Sequence, residues 1–268
     1  MLTEKKCFSI QQSMQIRKCF MQKKIIRVIA PITLGILTGA IHMFEMQAVF
    51  ADGVLQNSTP LTAVTISLAV LSIALFALFA LREKGGIETG VDYSHKYPSQ
   101  TGFFIIDLAI GLSFVSAGAW IFLFSDKELT DFITVALCAL TGLAIAIMCY
   151  SARRGKDVLI TMSASLIPGV LFAFLMALTY HDYAGSPSVL RYCWAVSAFG
   201  LAALSFMAFA GYAFDRGSRR QTTFFPMSAA FALTVLLFEG GEAWRMAITC
   251  AALLFFELSL WKETEKTV

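Results

Sequence analysis

Eight apolar runs, each about as long as a bilayer core is thick, follow one another along this chain with short polar connectors between them. A hydrocarbon layer about 30 Å thick takes roughly 20 helical residues to cross. Membrane strands would show alternating segments of about ten residues, whereas these runs are unbroken, so helices are expected. Composition supports this: 57% of residues are apolar and 15% charged, against about 25% charged in a soluble chain. The mean hydropathy is +0.71. The expected fold class is all-α, a polytopic integral membrane helical bundle of about eight transmembrane helices. No connector is long enough to hold a soluble catalytic domain.

The spans fall near 28–50, 61–81, 102–124, 132–150, 158–180, 190–214, 223–238 and 244–261. A basic tail, 1–27, precedes them and a short tail, 262–268, follows. The last two spans read as short and are joined by Glu239–Trp244, so thin spans, tilted neighbours and a re-entrant hairpin all fit. Lysine and arginine give the orientation. The N-terminal tail, the alternate connectors (holding Arg82, Lys84, Lys96, Arg153, Arg154, Lys156, Arg216, Arg219 and Arg220) and the C-terminal tail carry 18 of them. The opposite side has only Lys127, Arg191 and Arg245. Positive charge stays cytoplasmic, so both termini are expected in the cytoplasm of a plasma membrane, bacterial in character. Trp120, Tyr180, Tyr192, Trp194 and Trp244 mark outer span ends, and Tyr150, Tyr212 and Trp261 inner ones, as amphipathic rings prefer the interface. The connector Arg82–Thr101, with Gly85-Gly86, Gly90 and Pro98, reads as a flexible cytoplasmic loop.

The N-terminus supports two readings. Residues 1–24 are basic with scattered apolar positions and suit a helix lying in the membrane plane. Alternatively, translation begins at Met21, and Lys23, Lys24 and Arg27 precede an apolar stretch, Val28–Ile41, with a small-residue cleavage site at Val49-Phe50-Ala51. Cleavage there would leave seven helices. Glu45 and the length of the run favour an uncleaved first span.

Ionisable groups inside lipid are costly unless paired or hydrated, so they point to function. His42 and Glu45 lie three residues apart on one face of the first span, a spacing suited to a proton relay or two ligands to an ion. Asp107 and Glu257 sit near the cytoplasmic ends of the third and eighth spans, about 6–8 Å deep at 1.5 Å per residue. If those helices touch, the two carboxylates can share a proton or bind a cation. The run Phe238-Glu239-Gly240-Gly241-Glu242-Ala243-Trp244-Arg245 is locally the most unusual. Glu239, Glu242 and Arg245, with His42, Glu45, His181 and Asp182, fall on the outer half and can line an outward-facing polar site. An ordinary hairpin with an exposed Glu242–Arg245 ion pair is the plainer alternative. Gly35 and Gly39 form a GxxxG seam that suits internal packing or dimerisation. Asn57-Ser58-Thr59 is a sequon on the outer side.

Several chemistries lack their residues. There is no phosphate-binding GxxxxGK[ST] loop, HExxH or GxSxG, no lysine deep in a late span and no arginine ladder. The six cysteines form no CxxC; they read as small packing residues, a disulfide among Cys138, Cys193 and Cys250 being the one pairing weighed. No cofactor, resident metal or enzyme activity is expected. Nucleic acid is not an expected partner, because the charge excess of +3 follows topology and builds no basic face. The expected partners are the lipid bilayer and either a partner subunit or a second copy of the chain. Three functions fit: a permease or secondary carrier for an ion or small molecule, using His42, Glu45, Asp107 and Glu257; a non-catalytic anchor subunit, held through Arg153, Arg154, Lys156, Arg216, Arg219 and Arg220; and, after cleavage, a seven-helix sensor.

Overall fold

A computed structural model describes residues 26–47, 60–83, 85–89, 96–97, 101–154, 158–183 and 193–265. The N-terminal tail to residue 25, Val49-Phe50-Ala51, the sequon, Lys156, Arg191 and Tyr192 lie outside the described residues. The described residues form eight helices long and apolar enough to cross a membrane. They are α1 (Ile26–Gln47), α2 (Pro60–Leu81), α3 (Thr101–Phe124), α4 (Leu129–Arg154), α5 (Val158–Tyr183), α6 (Cys193–Ala213), α7 (Arg219–Glu239) and α8 (Ala243–Glu265).

Each of α3 to α8 packs on the next, and α8 closes back on α3, so six helices form a ring. Helix α2 joins this ring at α7, and α1 lies on α7 beside it. Burial follows from that arrangement: 67% of the apolar window of α7 is buried but only 22% of that of α2. Lipid is as apolar as leucine, so close fit rather than water exclusion must hold such helices together. Small residues supply the fit. A side-chain carbon added at Gly111 would come 2.9 Å from the Gly142 carbonyl oxygen, where α3 crosses α4. Inside the ring, Phe172, Phe206, Phe255 and Phe256 form a layer, with Phe206 ring centroids 5.7, 5.0 and 5.1 Å from the other three. Hydroxyls within the apolar helices largely bond back to the carbonyl one turn earlier, as Ser72, Ser205, Thr234 and Ser259 do, which satisfies them without a partner helix.

The last two helices differ from the sequence expectation. They are packed neighbours of 21 and 23 residues, longer than the short spans expected. Helix α7 begins at Arg219, where its polar first turn is held by the Arg219–Glu88 ion pair and a hydrogen bond from Arg220 to the Glu83 carbonyl, neither of which a hydropathy reading sees. Helix α8 takes in Lys262 and ends at Glu265, inside the expected tail. Gly240 and Gly241, with φ of 72° and 132°, make the reversal in a conformation that other residues resist. The described parts of the Arg82–Thr101 connector are tied to the bundle. Glu88 forms an antiparallel bridge with Gly217, and the buried Tyr97 ring packs edge-on against Phe209 and Tyr212.

Candidate functional site

At the end of the bundle where α7 turns into α8, three ionisable side chains converge. Thr38, His42 and Glu45 line one face of α1 and are at most 1% exposed. The glycine seam explains their position. A carbon added at Gly35 would fall 2.6 Å from the Thr234 Cβ, and one at Gly39 2.4 Å from the Phe238 ring. Gly35 and Gly39 therefore seat α1 directly on α7, which makes the GxxxG an internal seam. One turn beyond Gly39, His42 Nε2 lies 3.2 Å from Glu239 Oε1 on α7, while Nδ1 lies 3.2 Å from Glu45 Oε2. From α2, Thr65 Oγ1 is 3.2 Å from the same Glu45 oxygen. The Trp194 ring, 6.0 Å from that of His42, covers the imidazole from α6. It is part of this site rather than only an interface marker.

Proton counting shows what the trio can do. Each of the two N···O contacts needs a proton. A neutral imidazole carries one ring N–H, so the second comes either from a doubly protonated ring or from a protonated glutamic acid. In the latter case, the acid donates on one side of the ring while the ring donates on the other. Reversing both bonds moves a proton equivalent from Glu45 to Glu239 without moving a heavy atom far. The fixed geometry makes His42 the bridge between a carboxyl buried against α2 and one that lines a cavity.

That cavity, of about 540 Å³, is lined by Glu239, Glu242, Asp182, Arg245, Thr179 and the Gly240-Gly241 backbone over an apolar floor including Met46, Phe199 and Leu236. A second, of about 510 Å³, shares Asp182, Glu242 and Arg245 with it and adds Asp126, Glu128 and Asp131. Arg245 Nη2 is 3.6 Å from Asp182 Oδ2. It also stands over the Trp244 ring at 5.1 Å, while Glu242 accepts the Trp244 indole N–H. Arg245 therefore pairs across to α5 rather than with Glu242 just ahead of its own helix. His181 is exposed, 3.7 Å from Asp182.

The carboxylate dyad expected at the opposite end does not form. Helices α3 and α8 do touch, but Lys262 Nζ reaches Asp107 Oδ2 at 2.5 Å, and the Cys149 thiol lies 3.2 Å from that oxygen. Both members of the ion pair are buried. Lys262, assigned to the tail by its position after the last apolar run, is inside the helix and takes the place expected of Glu257. Among the described residues, neither carboxyl oxygen of Glu257 has a hydrogen-bond partner.

The arginines expected to face a partner divide into two kinds. Arg219 is bound to Glu88, and Arg220 Nε donates to the Glu83 carbonyl at 3.4 Å. Arg153 and Arg154 are exposed and lie over Phe104 and Tyr150 on their own side of the bundle. Arg216 is exposed. Burial opposes the charged form of Glu88, yet the Tyr212 hydroxyl, Lys96 and Arg219 outweigh it and hold its carboxyl below the ordinary 4.5. Cys138 and Cys250 are both free thiols, so no disulfide joins the outer cysteines.

Sequence reading brings His42 together with Glu45 but does not find Thr65, Trp194, Lys262, Cys149 or the Glu88–Lys96–Tyr212 network. Two of these carried a usable signal: a lysine directly after an apolar run, and the opposite charges Glu88 and Lys96 within one connector. No protein-family model, curated protein or solved structure matches the chain.

Proposed function

We propose that this protein is a secondary carrier of the plasma membrane, both termini cytoplasmic, that links movement of a small solute to movement of protons. The observation carrying this reading is His42 held between Glu45 and Glu239, with Glu239 lining the cavity. Buried ionisable groups of this kind mark ion pathways and proton relays in membrane proteins. The 18-to-3 distribution of lysine and arginine supports this orientation and, with it, an outward-facing cavity. The cavity carries three carboxylates to one guanidinium, Asp182, Glu239 and Glu242 against Arg245, which favours a cationic solute.

The test uses purified protein in liposomes loaded with a pH-sensitive dye and made acidic inside. Small amines and alkali cations are added outside in turn. At least one should drive proton efflux through the wild type, and His42→Gln and Glu239→Gln should abolish it. Absence of flux with every cation, or full flux in both variants, would overturn the proposal. A second reading, a non-catalytic anchor subunit, draws on the exposed Arg153, Arg154 and Arg216. A stoichiometric partner seen by native mass spectrometry after gentle extraction would favour it.

A further inference from the structure

We propose that the crevice between the C-terminal end of α2 and the first turns of α7 is a binding site for one anionic phospholipid, its acyl chain in the crevice and its phosphate on Arg220. This site lies at the opposite end of α7 from the His42 trio and does not depend on it. The crevice holds about 330 Å³, and its lining is apolar, from Ala77, Ala80, Leu81, Phe224 and Phe225, except for Arg220 and Gln221 at its end. A crevice of that composition on a membrane-exposed surface accepts hydrocarbon. The arginine decides which lipid.

Charge accounting at this corner leaves Arg220 in excess. Glu83 is engaged by Arg27 and Glu88 by Arg219. No carboxylate among the described residues pairs with Arg220 or the neighbouring Arg82. The Arg220 guanidinium, although exposed, is oriented. Its Nε donates to the Glu83 carbonyl, and it lies so close to Gly85 that a side-chain carbon there would fall 2.6 Å from its Cζ. A guanidinium oriented by one N–H keeps its remaining N–H groups for a ligand, and their planar fork suits a phosphate. Basic pockets between membrane helices are recognised by anionic headgroups. A zwitterionic lipid offers the same chain and phosphate but adds a cation beside two unmatched arginines.

Native mass spectrometry of the purified full chain, titrated with phosphatidylglycerol or with phosphatidylcholine of the same acyl chains, tests this. Wild type should retain one phosphatidylglycerol in preference to phosphatidylcholine. Arg220→Gln should weaken that retention about five-fold, the equivalent of about 1 kcal/mol per interfacial cation. Arg153→Gln, at the same end but on α4, should leave it unchanged. Ala77→Phe fills the crevice without touching charge and should lower retention of both lipids, which keeps the test decisive if the Arg220 variant does not fold. Equal binding of the two lipids, equal loss with Arg153→Gln, or full retention in Ala77→Phe would refute the site.

Discussion

Replacing Gly35 by alanine should separate α1 from α7 and break the proton trio at one bond only. The added methyl would sit 2.6 Å from the Thr234 Cβ and 3.0 Å from the Phe231 carbonyl oxygen. Neither atom is the far end of a flexible side chain, so the helices must move apart. Restoring an ordinary carbon contact of about 3.5 Å takes a shift of about 1 Å. His42 Nε2 would then lie about 4 Å from Glu239 Oε1 instead of 3.2 Å, beyond hydrogen-bonding range. The His42–Glu45 contact, within α1, would survive. Overpacking of this kind costs about 1–3 kcal/mol, a loss of about 2–10 °C in melting temperature for a chain this size. The control is Gly102→Ala, where an added carbon meets nothing within 4 Å and helix propensity gains slightly. Thermal melting in detergent followed by size-exclusion chromatography reads the stability, and the liposome assay reads the relay. If Gly35→Ala melts and conducts like Gly102→Ala, then α1 does not seat on α7 through this glycine, and the derived position of His42 is wrong.

Lys262→Met should be among the most damaging single changes, by about 3–5 kcal/mol, because it strands Asp107 as a buried charge; adding Asp107→Asn should recover much of the melting temperature. Glu257→Met should melt at or above the wild-type temperature, since it removes a buried carboxyl whose oxygens have no partner among the described residues; a lower melting point would reveal a contact for that carboxyl. The clamp around Glu88 should depend on pH in one direction. Its carboxyl titrates below 4.5 when folded, so its stabilisation is present above the unfolded value and is lost as pH falls through the depressed one. Melting curves should show Glu88→Gln destabilised relative to wild type at pH 7, with the gap closing only below about pH 4.5; a constant gap down to pH 3 would refute the linkage.

The number and order of helices were legible because an unbroken apolar run of this length has one structural outcome in lipid. The pairing of helices was not, for the same reason. In a soluble bundle, an apolar stripe names the face that packs. Here lipid-facing Leu71, Leu112 and Leu143 are 66%, 68% and 57% exposed, while chemically similar Leu171 and Leu233 are fully buried. Spacing within one helix therefore brought His42 to Glu45, but Glu239, 197 positions away, shares the site only because Gly35 and Gly39 set the register of α1 on α7. Asp107 shows the converse. Its depth was readable, but its partner depended on how far α8 continues past its apolar run, and Lys262 rather than Glu257 faces it.

On the carrier reading, the location of the trio also says which helices must move. The layer of Phe172, Phe206, Phe255 and Phe256 fills the ring between α5, α6 and α8, so a solute in the cavity cannot pass through the ring without helices parting. Helices α1 and α2 are the least buried, at 28% and 22% of their apolar windows, and they meet the ring chiefly along α7. At the cavity end, the His42–Glu239 hydrogen bond ties this pair to α7, and it changes with protonation. When Glu239 is ionised and His42 donates to it, the seam is held by a charge-assisted bond. When a cation entering the cavity takes Glu239 as its counter-ion, that bond weakens, and a doubly protonated ring passes its Nε2 proton to water in the cavity while its Nδ1 proton stays on the bond to Glu45. Solute binding, proton release and loosening of α1–α2 from α7 are then one event at one carboxylate, and Glu239→Gln should uncouple all three while leaving the Asp107–Lys262 pair at the far end intact.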